Sequence, residues 1–265
     1  MSLQYNDIAT QYAAYYTPEL LSCSALEQVQ VHDALFAVGL KGKRVLELAC
    51  GTGVYSRRLL EWGAASVVGL DISAAMLSEA TAEAARQSIP PTRLTYVRGD
   101  AADPDLDVGG GRFDVVVAAW LLNYAPDHDT MTRMWRNIAR HLVPGGKFVG
   151  LTTPPVTGTR EDVDVASRNA WAKYGQAGYV TREVETGFEY LGFQGYPDVY
   201  PERVLALKCF ITRPEVYEST AERGGMAGIE WWPMVYPRAL REAYPAGYWN
   251  ESVLNPNCRV VVAWS

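Results

Sequence analysis

The chain has 265 residues, 48% of them apolar by type, with 30 Asp and Glu against 24 Lys and Arg and a formal net charge of -6. That length and apolar share admit one large domain with a sizeable core. An acidic balance with no Lys/Arg cluster excludes a partner held mainly through a phosphate backbone or an anionic membrane surface, so no nucleic-acid and no membrane partner is expected.

Four cysteines, Cys23, Cys50, Cys209 and Cys258, lie far apart without a CxxC spacing. Neither a zinc site nor a disulfide framework is indicated, and no metal is expected. The first thirty residues hold Gln4, Asn6, Asp7, Gln11 and several tyrosines where a signal peptide would show a basic start and an apolar core. No apolar run reaches transmembrane length, so the expectation is a cytoplasmic protein.

In chain order, a tyrosine-rich segment (1–24) precedes a helical pattern over 25–38, where Leu26, Val29, Leu35 and Phe36 recur at three- and four-residue steps before Gly39. Five short apolar runs then alternate with helical stretches: Arg44 to Ala49, Ser66 to Leu70, Leu94 to Val97, Phe113 to Ala119 and Lys147 to Leu151. Alternation of this kind predicts a parallel sheet covered on both faces. Between the runs, Val54 to Glu61 is helical and ends at Gly63, Ser73 is placed to cap the helix carrying Met76 and Leu77, and Asp127 or Asp129 caps the next. Pro144-Gly145-Gly146 predicts a tight turn into the fifth strand.

Beyond Thr153 the pattern changes. Glycines and prolines punctuate 154–202, which also holds Trp171, Tyr174, Tyr179, Phe188, Tyr190 and Phe193. This segment reads as a cap or insertion after strand 5. The remainder, 203–265, is expected to return to the core sheet, with Val204 to Ile211, Ile229 to Met234 and Arg259 to Trp264 as strands and a helix near Glu215 to Arg223.

In a doubly wound sheet the ligand sits outside the carboxyl ends of the strands, so the residues ending each run are informative. The first run ends in Ala49-Cys50-Gly51-Thr52-Gly53, two glycines that let backbone approach a ligand and adopt positive φ. The second ends at Asp71, an acid able to accept hydrogen bonds from both hydroxyls of a ribose. The third ends in Gly99-Asp100-Ala101, where an acid and an adjacent amide suit an adenine edge, and the fourth in Ala118-Ala119-Trp120.

Taken together, these motifs resemble the class I S-adenosylmethionine-dependent methyltransferases. Glu47-Leu48-Ala49-Cys50-Gly51-Thr52-Gly53 is similar to the family's glycine-rich first motif, with Ala49 where many members have a first glycine. Asp71-Ile72-Ser73-Ala74-Ala75-Met76-Leu77 is similar to its second, and Gly99-Asp100-Ala101, Phe113 to Val117 and Leu142-Val143-Pro144-Gly145-Gly146 fall at the later positions. The resemblance covers roughly 40–153 and is nearest the small-molecule enzymes of quinone and natural-product biosynthesis. It implies an α/β fold with a Rossmann-like, doubly wound, mostly parallel seven-stranded sheet whose last strand is antiparallel.

The resemblance also implies roles at matching positions: Ala49, Gly51 and Gly53 beside the methionine part, Asp71 on the ribose, Ile72 and Met76 against the adenine, Asp100 and Ala101 at its exocyclic edge, and Ala118 flanking the methionine. Glu47 is expected to orient the cofactor's amino group through water. Tyr5 to Tyr12 resembles a segment that folds over the cofactor; Tyr12 is the residue expected at the sulfonium, whereas Tyr5, Tyr15 and Tyr16 equally suit plain helix packing. Asp114, at the opposite edge of the sheet, reads as structural.

Methyl transfer from a sulfonium is an in-line displacement that can run largely on positioning in a dry pocket. The product is S-adenosylhomocysteine. The expected acceptor is a small, aromatic or heteroaromatic molecule methylated on oxygen or nitrogen, oriented by Asn123 and Tyr124, with His128 either a general base or an ordinary polar residue at a helix start. Trp120, Trp171, Tyr174 and Tyr179 are candidates for the acceptor pocket, with core packing as their alternative. An NAD-dependent oxidoreductase would need the third glycine that Gly51-Thr52-Gly53-Val54-Tyr55-Ser56 lacks. A protein that binds the cofactor without catalysis is the remaining alternative.

Overall fold

The computed structural model describes residues 3–6, 8, 9, 12, 22–169, 176–194, 205–250, 256 and 258–265. Helix α1 (Ser22–Ala37) leads into β1 (Arg44–Leu48), α2 (Val54–Glu61), β2 (Ser66–Asp71), α3 (Ala74–Arg86), β3 (Leu94–Arg98), β4 (Phe113–Ala119), α4 (His128–His141) and β5 (Leu142–Thr152). The sheet order is β3-β2-β1-β4-β5-β10-β9, with β9 (Gly228–Trp231) and β10 (Arg259–Trp264) completing seven strands. All neighbours pair in parallel except β10, which is antiparallel to both β5 and β9. This is the Rossmann-like sheet expected from the motifs.

Successive side chains on a strand point to opposite faces, and here each face is buried. Leu46, Leu48, Val116, Ala118, Phe148, Val261 and Ala263 pack on one side with Met134, Trp135 and Ile138 of α4 and with Tyr217. Val45, Val115, Val117, Val149, Val260 and Val262 pack on the other with Leu35 of α1 and Leu59 of α2. Hence the central strands β1, β4 and β10 do not read as apolar-polar alternation; both layers there need apolar residues.

Local chemistry sets the element ends. Ser73 Oγ accepts from the Met76 N–H at 3.2 Å and Asp127 Oδ1 from the Thr130 N–H at 2.7 Å, so Asp127 is the cap of α4. The turn Pro144-Gly145-Gly146 lies within β5: Phe113 pairs with Leu142 and Val115 with Lys147, so Asp114 alone faces four residues, 143–146, and the excess loops out at Gly145, φ 76°. Asp114 accepts the Arg44 backbone N–H at 2.8 Å and lies 3.7 Å from Lys43, a structural tie at the far edge from the strand tips.

After β5 comes a separate layer: α5 (Arg160–Asn169) and an antiparallel sheet of β6 (Gln176–Val184), β7 (Gly187–Gln194) and β8 (Leu205–Thr212), in that order. The strand expected near 204–211 as the return to the core therefore belongs to the cap. Its two-residue periodicity reports a half-buried strand without naming a partner, and the partner is β7, paired along its whole length from Gly187↔Thr212 to Gln194↔Leu205. The core resumes with α6 (Pro214–Arg223), whose Tyr217 is buried against Trp231 of β9, before the short α7 (Arg238–Glu242).

Candidate active site

The carboxyl ends of β1, β2 and β4 frame a cavity lined by Tyr5, Tyr12, Ala49, Gly51, Asp71, Ile72, Met76, Ala119, Trp120, Leu121 and Tyr124.

Its floor is the turn after β1. Ala49, Gly51 and Gly53 have φ of 59°, 53° and 72°, and the Gly53 N–H closes the turn on the Cys50 carbonyl at 2.9 Å. A Cβ on Gly51 would meet nothing within 4 Å, so that position is glycine for its backbone angle and for the open approach it leaves. Gly53 is different: a Cβ there would run into the Tyr96 phenol, so it serves packing under the turn and does not line the cavity. Ala49 holds the same left-handed angle with a side chain, which is the physical meaning of its departure from glycine.

Two acids lie under this floor. Asp71 Oδ2 accepts the Gly51 N–H and Oδ1 the Ser73 N–H, both at 2.8 Å. Burial raises its carboxyl above the usual range, while the amides of Ser73 and Gly51 pull the other way. A carboxylate offers about four acceptor sites, more than these amides use, and Asp71 lines the cavity. Glu47 faces away, fully inside, and accepts from Ser56 Oγ of α2. Burial pushes its carboxyl up to about 8 against the pull of Ser56 and Arg57. It is beneath the glycine turn and outside the cavity lining.

Four aromatic rings make the walls. Tyr5 stands edge-on to Tyr12 at 5.7 Å and to Tyr124 at 6.0 Å between centroids, and the Tyr5 and Tyr124 hydroxyls hydrogen-bond to each other. Asn6 Oδ1 accepts from Ser73 Oγ at 2.6 Å, tying the N-terminal segment to the start of α3. Burial raises both the Tyr5 and the Tyr124 phenol, so each stays protonated and able to donate. Trp120 has φ 62°, and its Nε1 donates to Glu27 Oε2 at 3.2 Å.

The cavity thus gathers Tyr12, Ala49, Gly51, Asp71, Ile72, Met76, Trp120 and Tyr124 of the residues singled out in the sequence. Others lie elsewhere. Ala101 and Ala118 are buried in the core, because strand alternation sends Ala118 inward and presents its neighbour Ala119. Asp100 accepts from the Ala102 N–H at 2.8 Å and lines a second, more open cleft with Asp103, Arg133, Lys208 and Phe210; Tyr124 lines both. Asn123 is 2% exposed and stands by the Cys209 thiol, which burial pushes up to about 12. His128 pairs with Glu185 of the β6–β7 turn. Tyr179 is 39% exposed, against Phe193 on the cap sheet, and lines neither cleft. Trp171 and Tyr174 lie outside the described residues. Tyr5 and Leu121 line the cavity without having been selected; the signal for Tyr5 was its place beside Tyr12 in the same segment.

Among the described residues no group of three or more His, Cys, Asp and Glu is arranged to hold a metal ion, and no helix is long and apolar enough to cross a membrane.

Comparison with known proteins agrees with this geometry. Residues 45–146 match the methyltransferase domain family. Over 111 residues the chain is 34% identical to a ubiquinone biosynthesis O-methyltransferase of Coxiella burnetii, covering 42% of this chain and 44% of that one. Over 105 residues it is 36% identical to a trans-aconitate 2-methyltransferase of Deinococcus radiodurans, covering 39% and 35%. The chain therefore spans less than half the length of these relatives. Among solved structures, an S-adenosylmethionine-dependent methyltransferase of Mesorhizobium loti superposes with a TM-score of 0.54 at 24% identity, over 87% of this chain and 95% of that one. Residues 45–146 therefore carry a methyltransferase domain, and the sheet order, glycine turn and strand-end acid around it are those of a Rossmann-like fold.

Proposed function

We propose that this chain transfers a methyl group from S-adenosylmethionine to a small acceptor, releasing S-adenosylhomocysteine. The observation that carries the reading is the cavity itself: a glycine turn and a strand-end acid on its floor, with aromatic rings for its walls. The lining fits such a donor part by part. Asp71 has acceptor lone pairs for ribose hydroxyls, Ile72, Met76 and Leu121 offer apolar surface to a flat base, and Gly51 leaves room for close approach of the amino-acid part. Tyr5, Tyr12, Trp120 and Tyr124 offer ring faces of the kind that attract a cation.

Bound there, the donor supplies an electrophilic methyl whose bonding electrons return to sulfur. The chain's contribution is positioning and exclusion of water. The N-terminal segment, held by Tyr5 to Tyr124 and by Asn6 to Ser73, closes the cavity. Tyr124, its phenol raised far above neutrality, acts as a hydrogen-bond donor that orients the acceptor. Asn123 and His128, the other residues expected to orient the acceptor, line neither cleft, so that role falls to Tyr124.

The acceptor is read as a flat aromatic or heteroaromatic molecule methylated on oxygen or nitrogen, supported by the ring-lined walls. An oxygen nucleophile agrees with the name of one relative, a ubiquinone biosynthesis O-methyltransferase. Calorimetry with S-adenosylhomocysteine and with NAD tests the donor: binding of the former alone is expected, and absence of that binding sinks the reading. A screen of phenols, indoles, N-heterocycles and quinols with labelled donor tests the acceptor. Tight cofactor binding with no transfer to any class would favour a binding protein.

A further inference from the structure

Strands β1, β2 and β3 place Glu47, Gly69 and Tyr96 side by side, Glu47 paired with Gly69 and Gly69 with Tyr96 in parallel register. Residues in register on neighbouring strands project from the same face of a sheet. Gly69 has no left-handed angle that would call for glycine. It is glycine for space: a Cβ there would lie 2.8 Å from the Tyr96 ring and 3.0 Å from Cys50 Sγ.

The same ring reaches the glycine turn. Its hydroxyl stands where a Cβ on Gly53 would be, and Arg57 Nη1, 3.1 Å from that position, donates to the Thr52 carbonyl at 2.8 Å. One phenol is thus wedged against the bare Cα atoms of two glycines, one on β2 and one in the turn. The turn needs such support, because glycine loses more backbone freedom on folding than any other residue and both Gly51 and Gly53 are held left-handed. Asp71, which lines the cavity, holds the Gly51 N–H; Tyr96 lines neither cleft and bears on the turn from beneath.

We propose that Tyr96 is a positioning residue for the methyl donor: its ring, seated over Gly69, props the glycine turn at Gly53, so that the backbone facing the donor is ordered before the donor arrives. This rests on the methyl-donor reading of the cavity. A turn held in advance binds more tightly, since binding no longer has to order it. The three positions act as a unit: the ring excludes a side chain at 53 or 69, and a smaller residue at 96 releases the turn.

The test is calorimetric titration of S-adenosylhomocysteine into the full chain, at a temperature where each variant is fully folded. Tyr96→Val keeps a strand-forming residue and removes the ring; affinity is expected to fall roughly tenfold, the scale of ordering one backbone residue on binding. Tyr96→Phe, which keeps the ring over Gly69, is expected to recover affinity to within about threefold of wild type. Val67→Ala thins the same buried layer near the opposite end of β2 and is expected to change affinity less than about twofold. Removing the ring also removes the collision at Gly53, so the affinity lost through Gly53→Ala is expected to be at least about threefold smaller in the Tyr96→Val background than in wild type. Wild-type affinity in Tyr96→Val, no recovery in Tyr96→Phe, an equal loss in Val67→Ala, or the same Gly53→Ala loss in both backgrounds overturns the proposal and leaves the donor reading standing. Failure of wild type to bind overturns the donor reading and this proposal with it. Should Tyr96→Val not fold, Tyr96→Leu covers Gly69 without reaching Gly53; the same losses are expected of it, and wild-type affinity overturns the proposal.

Discussion

The hydroxyls of Tyr5 and Tyr124 meet in a hydrogen bond between residues 119 positions apart in the chain, one on the N-terminal segment and one just past β4. Both rings line the cavity, so the bond fastens Tyr5 to the strand tip beside which the chemistry is proposed. Tyr5→Phe removes one partner of a buried pair, a change worth about 0.5–1.5 kcal/mol. It is expected to weaken S-adenosylhomocysteine binding several-fold and to speed proteolytic cleavage within the first twenty residues, with little change in global melting temperature. Unaltered cleavage and affinity would show that the bond does not fasten the segment.

Asp71→Ala is expected to lower affinity for S-adenosylhomocysteine by at least about a hundredfold, since hydrogen bonds to a charged group contribute roughly 1.5–3 kcal/mol each and two backbone donors also lose their partner. Calorimetry reads this directly. Affinity within a few-fold of wild type would remove Asp71 from the site.

Ala49 and Gly53 make an opposed pair. Both are left-handed, but only Ala49 carries a Cβ, at a cost of about 1–2 kcal/mol offset in part by the greater chain entropy of glycine. Ala49→Gly is expected to be neutral or to raise stability by up to about 1 kcal/mol. Gly53→Ala adds both backbone strain and a collision with Tyr96, and is expected to lose about 1–3 kcal/mol. Denaturant unfolding of the two variants separates these outcomes, and a destabilised Ala49→Gly would contradict the account.

Glu47 gives a pH signature. Its carboxyl binds a proton more tightly folded (about 8) than unfolded (4.5), because burial disfavours the charge. The unfolded chain then carries fewer protons than the folded one between those values, so the contribution to stability is complete below about 4.5 and is lost as pH rises toward 8. Glu47→Gln does not titrate and is expected to show a shallower fall in melting temperature from pH 5 to pH 8. Parallel profiles for variant and wild type would refute the buried, proton-holding assignment.

Much of this was readable from the chain. The chain order of β1 to β5, the cap at Ser73, a cap at Asp127 or Asp129 and the place of Asp71 at a strand end follow from short-range patterns, where strand period, capping chemistry and strand-end position act over a few residues. What was not readable depends on choices made at long range. Leu205–Thr212 has the period of a strand, but the pattern is the same whichever sheet receives it. Ala118 and Ala119 are identical in sequence terms, and only the face each takes in the sheet separates core from cavity. Tyr5 stayed open between cavity and helix packing because its partner Tyr124 lies 119 residues away, and Glu27 could not be picked out because Trp120 lies 93 away.

The ring of Tyr124 is common to both clefts, with the glycine turn and Asp71 on one side and Asp100, Arg133 and Lys208 on the other. It is a shared wall, so a molecule that displaced it from one side would be felt on the other, and any effect on affinity there would be returned in equal measure.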